Sequence, residues 1–299
     1  MSERIQKALA QAGHGSRRQV EAWVQEGRIL VNGKVATLGD HITEDDTVLL
    51  DGKQLRLKFK HELPLKVIIY HKPVGEICTR NDPERRATIY DNLPRLRGGR
   101  WVAVGRLDVN TSGMLLLTTS GELANKLMHP SSGMEREYAV RVLGEVDRDM
   151  IKNMRAGVEL EDGMAAFDTI RDAGGQGANH WYHVIIKEGR KREVRRLWES
   201  QGVTVSRLIR VRFGDITLPR GLSAGKFTDL DPASLNKLLR TVDMPAIEKK
   251  HGRSDARTKT PAKPKVDEKP KSKKRDSPKK GYAPAARRKK PTSRVSKKK

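Results

Sequence analysis

Residues 105–113 read GRLDVNTSG and join two apolar runs, WVAVG at 101–105 and MLLLTT at 114–119. Both runs have strand length and are rich in aliphatic side chains, so the residues between them form a tight polar connection. That connection presents one carboxylate, Asp108, with Arg106 two residues before it. The spacing Asp108-x-Asn110-x-Ser112-Gly113 imitates the first half of a calcium loop. The twelfth position is Thr119 rather than Glu, however, and strands flank the loop where helices are required. Two readings stay open on pattern alone: an Asx-turn closing a hairpin, or a carboxylate displayed for chemistry.

Outward from this loop, LKVIIY (65–70), EYAVRVL (137–143), HVIIK (183–187) and RLIRVRF (207–213) read as further strands. GELANKLM (121–128), DRDMIKNM (147–154), REVRRLWESQ (192–201) and PASLNKLLRT (232–241) read as helices, the last opened by the N-cap Asp231 and Pro232 at N1. Strands and helices mix without a strict βαβ alternation. The expectation is an α+β domain over 65–245, built on a mixed, largely antiparallel sheet.

Residues 1–60 read as a separate small αβ module. Ile5, Ala8, Leu9 and Ala12 share a helical face that ends at Gly13. Ser16 with Gln19 forms a capping-box pattern, Val20, Trp23 and Val24 give a second apolar face, and Gly27 terminates it. Short strands follow, with turns at Asn32-Gly33 and Asp51-Gly52. Arg17 and Arg18 are among the basic residues that decorate this module.

The chain carries a formal charge of +24, distributed unevenly. Residues 249–299 hold 22 of the 61 Lys and Arg but 4 of the 37 Asp and Glu, which places +18 in that segment and +6 in the other 248 residues. With almost no large apolar side chains, 249–299 cannot offset the entropy of ordering and is expected to be disordered when unbound. It reads either as a solvated solubility tail or as an RNA-binding arm that releases counterions. A single cysteine, Cys78, excludes an intramolecular disulfide. No apolar run approaches the roughly 18 residues of a membrane span. The start, MSERIQKALAQAG, lacks the apolar core of a signal peptide. The expectation is a cytoplasmic protein with no membrane partner.

Four segments, in order, resemble the motifs of the pseudouridine synthases, in the branch that modifies small- and large-subunit ribosomal RNA. YHKPVGEICT (70–79) resembles the family's Lys-Pro motif, GRLDVNTSG its catalytic motif, EREYAVRV (135–142) its tyrosine motif, and EGRKREVRRLW (188–198) its basic motif. Residues 1–60 resemble the S4 RNA-binding module that this branch carries at its N-terminus. The resemblance implies catalytic roles for Asp108, Tyr138 and Arg195: nucleophile, ring stacked on the target base, and cationic partner of the carboxylate. Arg106, Lys72, Arg17, Arg18, Arg192, Arg196 and Arg210 become candidate RNA contacts. Alternative readings are a solvated helix face shared by Arg192, Arg195 and Arg196 at i, i+3, i+4, and cross-strand salt bridges for Arg210 and Arg212. Lys72 reads as a support for the site or as a surface charge.

Making pseudouridine breaks the uridine N1–C1′ bond, turns the uracil and rejoins it through C5, with no redox change and no group transfer. No cofactor is therefore expected. The sequence has no P-loop, no HExxH and no cysteine pair. The expected partner is ribosomal RNA, most simply one uridine of the 23S large-subunit RNA, bound by a monomer. The competing reading is a non-catalytic S4-type RNA-binding or ribosome-assembly protein. For the basic tail the outcome is specific: deleting 249–299 flattens the dependence of RNA affinity on salt, measured as the slope of log Kd against log salt, and leaves the modified uridine unchanged.

Overall fold

The computed structural model describes residues 2–57, 64–96 and 99–247. The segment expected to be disordered, 249–299, lies outside these residues, as does the 58–63 connection. In the small module, β1 (Glu3–Arg4) leads into α1 (Ile5–Gln11) and α2 (Arg17–Gln25). After them come β2 (Ile29–Val31), β3 (Lys34–Val35), β4 (His41–Ile42), β5 (Val48–Leu50) and β6 (Lys53–Gln54). The Ser16 hydroxyl accepts from the Gln19 amide at 3.1 Å, which starts α2 as the capping pattern predicts. Asn32-Gly33 and Asp51-Gly52 take positive φ at both positions, the backbone of a two-residue hairpin turn. Ile5, Leu9, Val20, Val24, Ile29, Ile42 and Val48 close a core of the module's own.

The larger region contributes β7 (Val67–Lys72), β8 (Val102–Ala103), β9 (Ser112–Thr118), α3 (Gly121–Met128), β10 (Arg136–Leu143) and α4 (Arg148–Ala156). It continues with β11 (Val158–Leu160), β12 (Gly163–Ala165), β13 (Thr169–Gln176), β14 (Asn179–Ile186) and α5 (Glu193–Glu199). Last come β15 (Thr204–Phe213), β16 (Ile216–Thr217), β17 (Phe227–Asp229) and α6 (Pro232–Arg240). Nine of these strands form one sheet in the order β13-β14-β10-β15-β9-β7-β17, with β8 on β9 and β16 on β15. Every pairing is antiparallel except β9 with β15. The expectation of a mixed, largely antiparallel sheet is met, and its one parallel seam lies in the middle.

Strands β7 and β9 read as unbroken apolar runs because both their faces are covered. Ile68, Tyr70, Leu115 and Leu117 enter one core with Val140, Val142, Val184 and Trp198. The alternate residues Val67, Ile69, Met114 and Leu116 enter a second core with residues of α3 and α6. The departures from expectation include the short strands β11, β12, β16 and β17 and two longer segments. WVAVG pairs only at Val102 and Ala103, since the chain turns away at Gly105 with φ +78°. The strand β13, TIRDAGGQ, was not anticipated: its two glycines and the bulge between Asp172 and Gly175 erase the period of two.

At the seam, Gly113 pairs with Arg210, and a row of partners runs Lys72–Gly113–Arg210–Tyr138–Val184 across five strands. Gly113 has φ +107°, and a Cβ there would lie on the Arg210 carbonyl oxygen and 2.5 Å from its amide nitrogen. Gly113→Ala is accordingly expected to cost roughly 3 kcal/mol or more and to lower Tm by about 6–12 °C, read in a thermal melt.

Candidate active site

Asp108 lies in the connection between β8 and β9, beside the start of the seam. The turn there is made by the backbone: the Thr111 amide donates to the Asp108 carbonyl at 3.0 Å. An Asx-turn would have used the carboxylate. Instead, the Asp108 side chain makes no hydrogen bond among the described residues, and its carboxylate is left for another partner.

Three groups hold this turn. Lys72, at the end of β7, is 0% exposed, and its ammonium donates to the carbonyls of Pro73 (2.9 Å), Asp108 (3.1 Å) and Thr111 (2.9 Å). Burial pushes its pKa below the ordinary lysine value, while Cys78, Glu76 and Asp108 act the other way. The Cys78 thiol meets both the amide and the carbonyl of Leu107 at 3.4 Å. Burial raises that thiol's pKa above the ordinary cysteine value, opposed by the Leu107 backbone and the nearby cations. Arg195 on α5 is 5% exposed, donating from Nη1 to the Val205 carbonyl (2.8 Å) and from Nη2 to the Asn110 carbonyl (2.9 Å).

Arg195 therefore points inward from α5, and the solvated-face reading fails for it. Its guanidinium binds the loop backbone rather than the Asp108 carboxylate, and no salt bridge joins the two among the described residues. The charges still interact: burial lowers the Arg195 pKa, Arg192 lowers it further, and Asp108 opposes both. Two buried polar atoms, Arg195 Nε and Thr111 Oγ1, have no hydrogen-bond partner among the described residues. Tyr138 on β10 is 9% exposed and shares its core with Leu107 and Tyr70. The sheet register sets Tyr138 two strands from Gly113, at the end of the Asp108 loop, and a hydrogen bond ties Arg195 to Asn110 of the same loop.

The candidate RNA contacts divide. Arg17 and Arg18 are exposed at the start of α2, and Arg106 is exposed without a hydrogen bond or ion pair among the described residues. Arg192 pairs with Glu199 at 3.2 Å, and Arg196 makes two 2.8 Å bonds to Asp162. Two expectations are corrected. Lys72 is no surface contact, because its ammonium is enclosed by three loop carbonyls. Arg210 does not extend a basic surface: it is 2% exposed, with Nε on the Met114 carbonyl at 2.7 Å. Arg212 follows the cross-strand reading, bonding Glu137 (2.7 Å) and Glu135 (2.9 Å).

Cys78 and Thr111 were not singled out from the sequence as parts of the site. Among the described residues, no group of three or more His, Cys, Asp or Glu is placed to hold a metal ion. No described helix is long and apolar enough to cross a membrane.

The chain belongs to the RNA pseudouridylate synthases, with an S4 domain preceding the mixed sheet in the sequence. The family profile described as RNA pseudouridylate synthase matches residues 66–200, and that of the S4 domain matches residues 3–48. The chain is 60% identical over 246 residues to the ribosomal large subunit pseudouridine synthase B of Yersinia pestis, covering 82% of this chain and 77% of that one. It is 55% identical over 265 residues to the protein of the same name from Escherichia coli (strain K12), covering 86% and 91%. A crystal structure of a pseudouridylate synthase shares the fold with a TM-score of 0.56 at 24% identity, covering 79% of this chain and 99% of that one.

Replacing Lys72 by Met keeps length and volume but removes the donor from three carbonyls. The expected result is a loss of roughly 2–4 kcal/mol in a urea melt. A single-turnover rate lower by about 100-fold should accompany it, because the loop that carries Asp108 is no longer held.

Proposed function

We propose that this chain converts one uridine of large-subunit ribosomal RNA to pseudouridine, acting in the cytoplasm as a monomer, without a cofactor, on a base turned out of its helix. The observation that carries the reading is the unbonded Asp108 carboxylate, whose backbone is fixed by Lys72 and whose loop is capped by Arg195. Base extrusion is required because C1′ and C5 of a stacked uridine are out of reach of any side chain. Tyr138 supplies the flat wall for the extruded uracil, and Arg106, exposed at the mouth of the loop, meets the RNA the base has left.

Asp108 must be ionised to act, whether its carboxylate attacks C1′ or removes a proton from C2′. The buried cations Lys72 and Arg195 hold the loop that carries it. Their hydrogen bonds go to carbonyls, so the carboxylate stays free to reach the sugar. Arg17 and Arg18 on the small module add phosphate contacts, which position the RNA without reading its sequence. The names of the relatives, with their high identity over most of both chains, support large-subunit ribosomal RNA as the substrate.

The test is Asp108→Asn. Incubated with large-subunit ribosomal RNA, the variant is expected to bind with unchanged affinity and to form no pseudouridine, as mapped by chemical modification and primer extension. Undiminished product would remove Asp108 from the chemistry, and RNA binding without product from the wild-type protein would favour the non-catalytic reading.

A further inference from the structure

Arg210 has a role that its burial alone does not account for. Its Nε is fixed on the Met114 carbonyl at 2.7 Å, and its guanidinium stands 5.5 Å from the centre of the Phe213 ring. Its two terminal nitrogens make no hydrogen bond or ion pair among the described residues, yet neither is sealed from solvent. The sheet register sets Arg210 directly beside Tyr138 on one side and Gly113 on the other. Its charge acts on the Cys78 thiol, which touches Leu107 next to Asp108. One edge of a rigidly held guanidinium is thus bare, on the floor of the site, between the tyrosine and the catalytic loop.

A group that meets this edge must be inserted deeply, because Arg210 is only 2% exposed. A phosphodiester stays joined to the RNA chain on both sides and remains at the rim. The base of an extruded nucleotide reaches furthest in, and the oxygens on its edge are O2 and O4. We propose that Arg210 is a catalytic residue whose unbonded N–H groups bind a carbonyl oxygen of the target uracil and stabilise the negative charge that forms on the ring when the N1–C1′ bond breaks. The proposal rests on the reading that Asp108 and Tyr138 line the uridine pocket.

The electron count explains why a cation belongs there. When the N1–C1′ bond breaks, its electron pair leaves with the uracil and spreads over N1, O2 and O4. The sugar meanwhile either bonds to the Asp108 carboxylate at C1′ or gives up its C2′ proton to it. Joining C5 to C1′ displaces the Asp108 carboxylate on the first route, and on the second the proton returns to C2′; either way the C5 hydrogen leaves as a proton and N1 gains one. The product is an isomer, so the charge exists only between the two bond events. A preorganised donor aimed at it therefore assists the intermediate and its flanking transition states more than it assists binding.

The test uses the full-length protein and an RNA fragment containing the mapped target uridine, or 5-fluorouridine in its place. The more acidic 5-fluorouracil is the better leaving group and needs less stabilisation as an anion; because its C5 carries no hydrogen to lose, the rate on both substrates is read as consumption of the N1-linked nucleoside. Arg210→Met is expected to lower the single-turnover rate on uridine at saturating enzyme by roughly 100-fold, the typical effect of removing one such donor. Its Kd should stay within about twofold, and its deficit on 5-fluorouridine should be at least about tenfold smaller. Arg210→Lys keeps the charge and should fall between Met and wild type; if Arg210→Met fails to fold, the ratio of the Arg210→Lys deficits on the two substrates decides. Equal deficits on uridine and 5-fluorouridine would make Arg210 a brace of the sheet and overturn the inference. A raised Kd with an unchanged saturating rate would also overturn it. Absence of product from the wild-type protein would strike the underlying reading as well, which separates the two failures.

Discussion

Everything in the catalytic region is referred to the close approach of β9 and β15. It is the one place where the sheet runs parallel, and it is short, with partners recorded only at Ser112–Ile209 and Gly113–Arg210. The approach depends on a residue without a side chain at 113, because any Cβ would occupy the space of the Arg210 backbone. On either side of this seam the sheet is antiparallel and its cores are apolar. At the seam the chain has just emerged from the Asp108 turn. A polar loop is thereby inserted at the centre of a large sheet, where a continuous ladder would otherwise exclude it.

A polar loop in such a place exposes carbonyls to an apolar surrounding, and buried carbonyls without donors are costly. The protein supplies the donors as cations. Lys72 serves Pro73, Asp108 and Thr111, and Arg195 serves Asn110 and Val205. The same two charges that satisfy the backbone create a field suited to an anion. The Asp108 charge is felt at Arg195 without a direct ion pair between them. Asymmetry between the halves of the sheet follows from the helices. Residues of α3 and α6 cover one face of β7 and β9, while residues of α4 and α5 join the core formed by the opposite face.

Much of this was legible in the sequence because β7 and β9 are buried on both faces and carry runs that no loop would contain. Helix starts were legible where a single side chain does the work, as with Ser16 and Asp231. The site was legible as four segments in order, but their meeting was not, since the row from Lys72 to Val184 joins residues more than a hundred positions apart. Three arginines on one helix, Arg192, Arg195 and Arg196, looked equivalent at i, i+3, i+4. The structure buries the middle one and gives the others carboxylate partners, a difference that depends on which way α5 faces the sheet. Lys72 offered a clue that charge alone obscured: Ile68, Tyr70 and Lys72 share one face by the period of two, and the first two are plainly core. The strand β13 gave no such clue, because glycine replaces the side chains that would have shown its alternation.

The turn around Asp108 is closed by main-chain atoms, and the carboxylate contributes nothing to holding it. On the role proposed for Asp108, fold and reactivity are therefore separable at this position. One base change in an aspartate codon, to asparagine, leaves a side chain of nearly the same size in a turn that does not depend on it. A lineage could lose the reaction in a single step and keep a folded protein with its RNA-binding surfaces intact, free to be retained for occupancy instead of chemistry. Enzymes whose reactive group also carries the fold have no comparable route, because inactivation and unfolding arrive together.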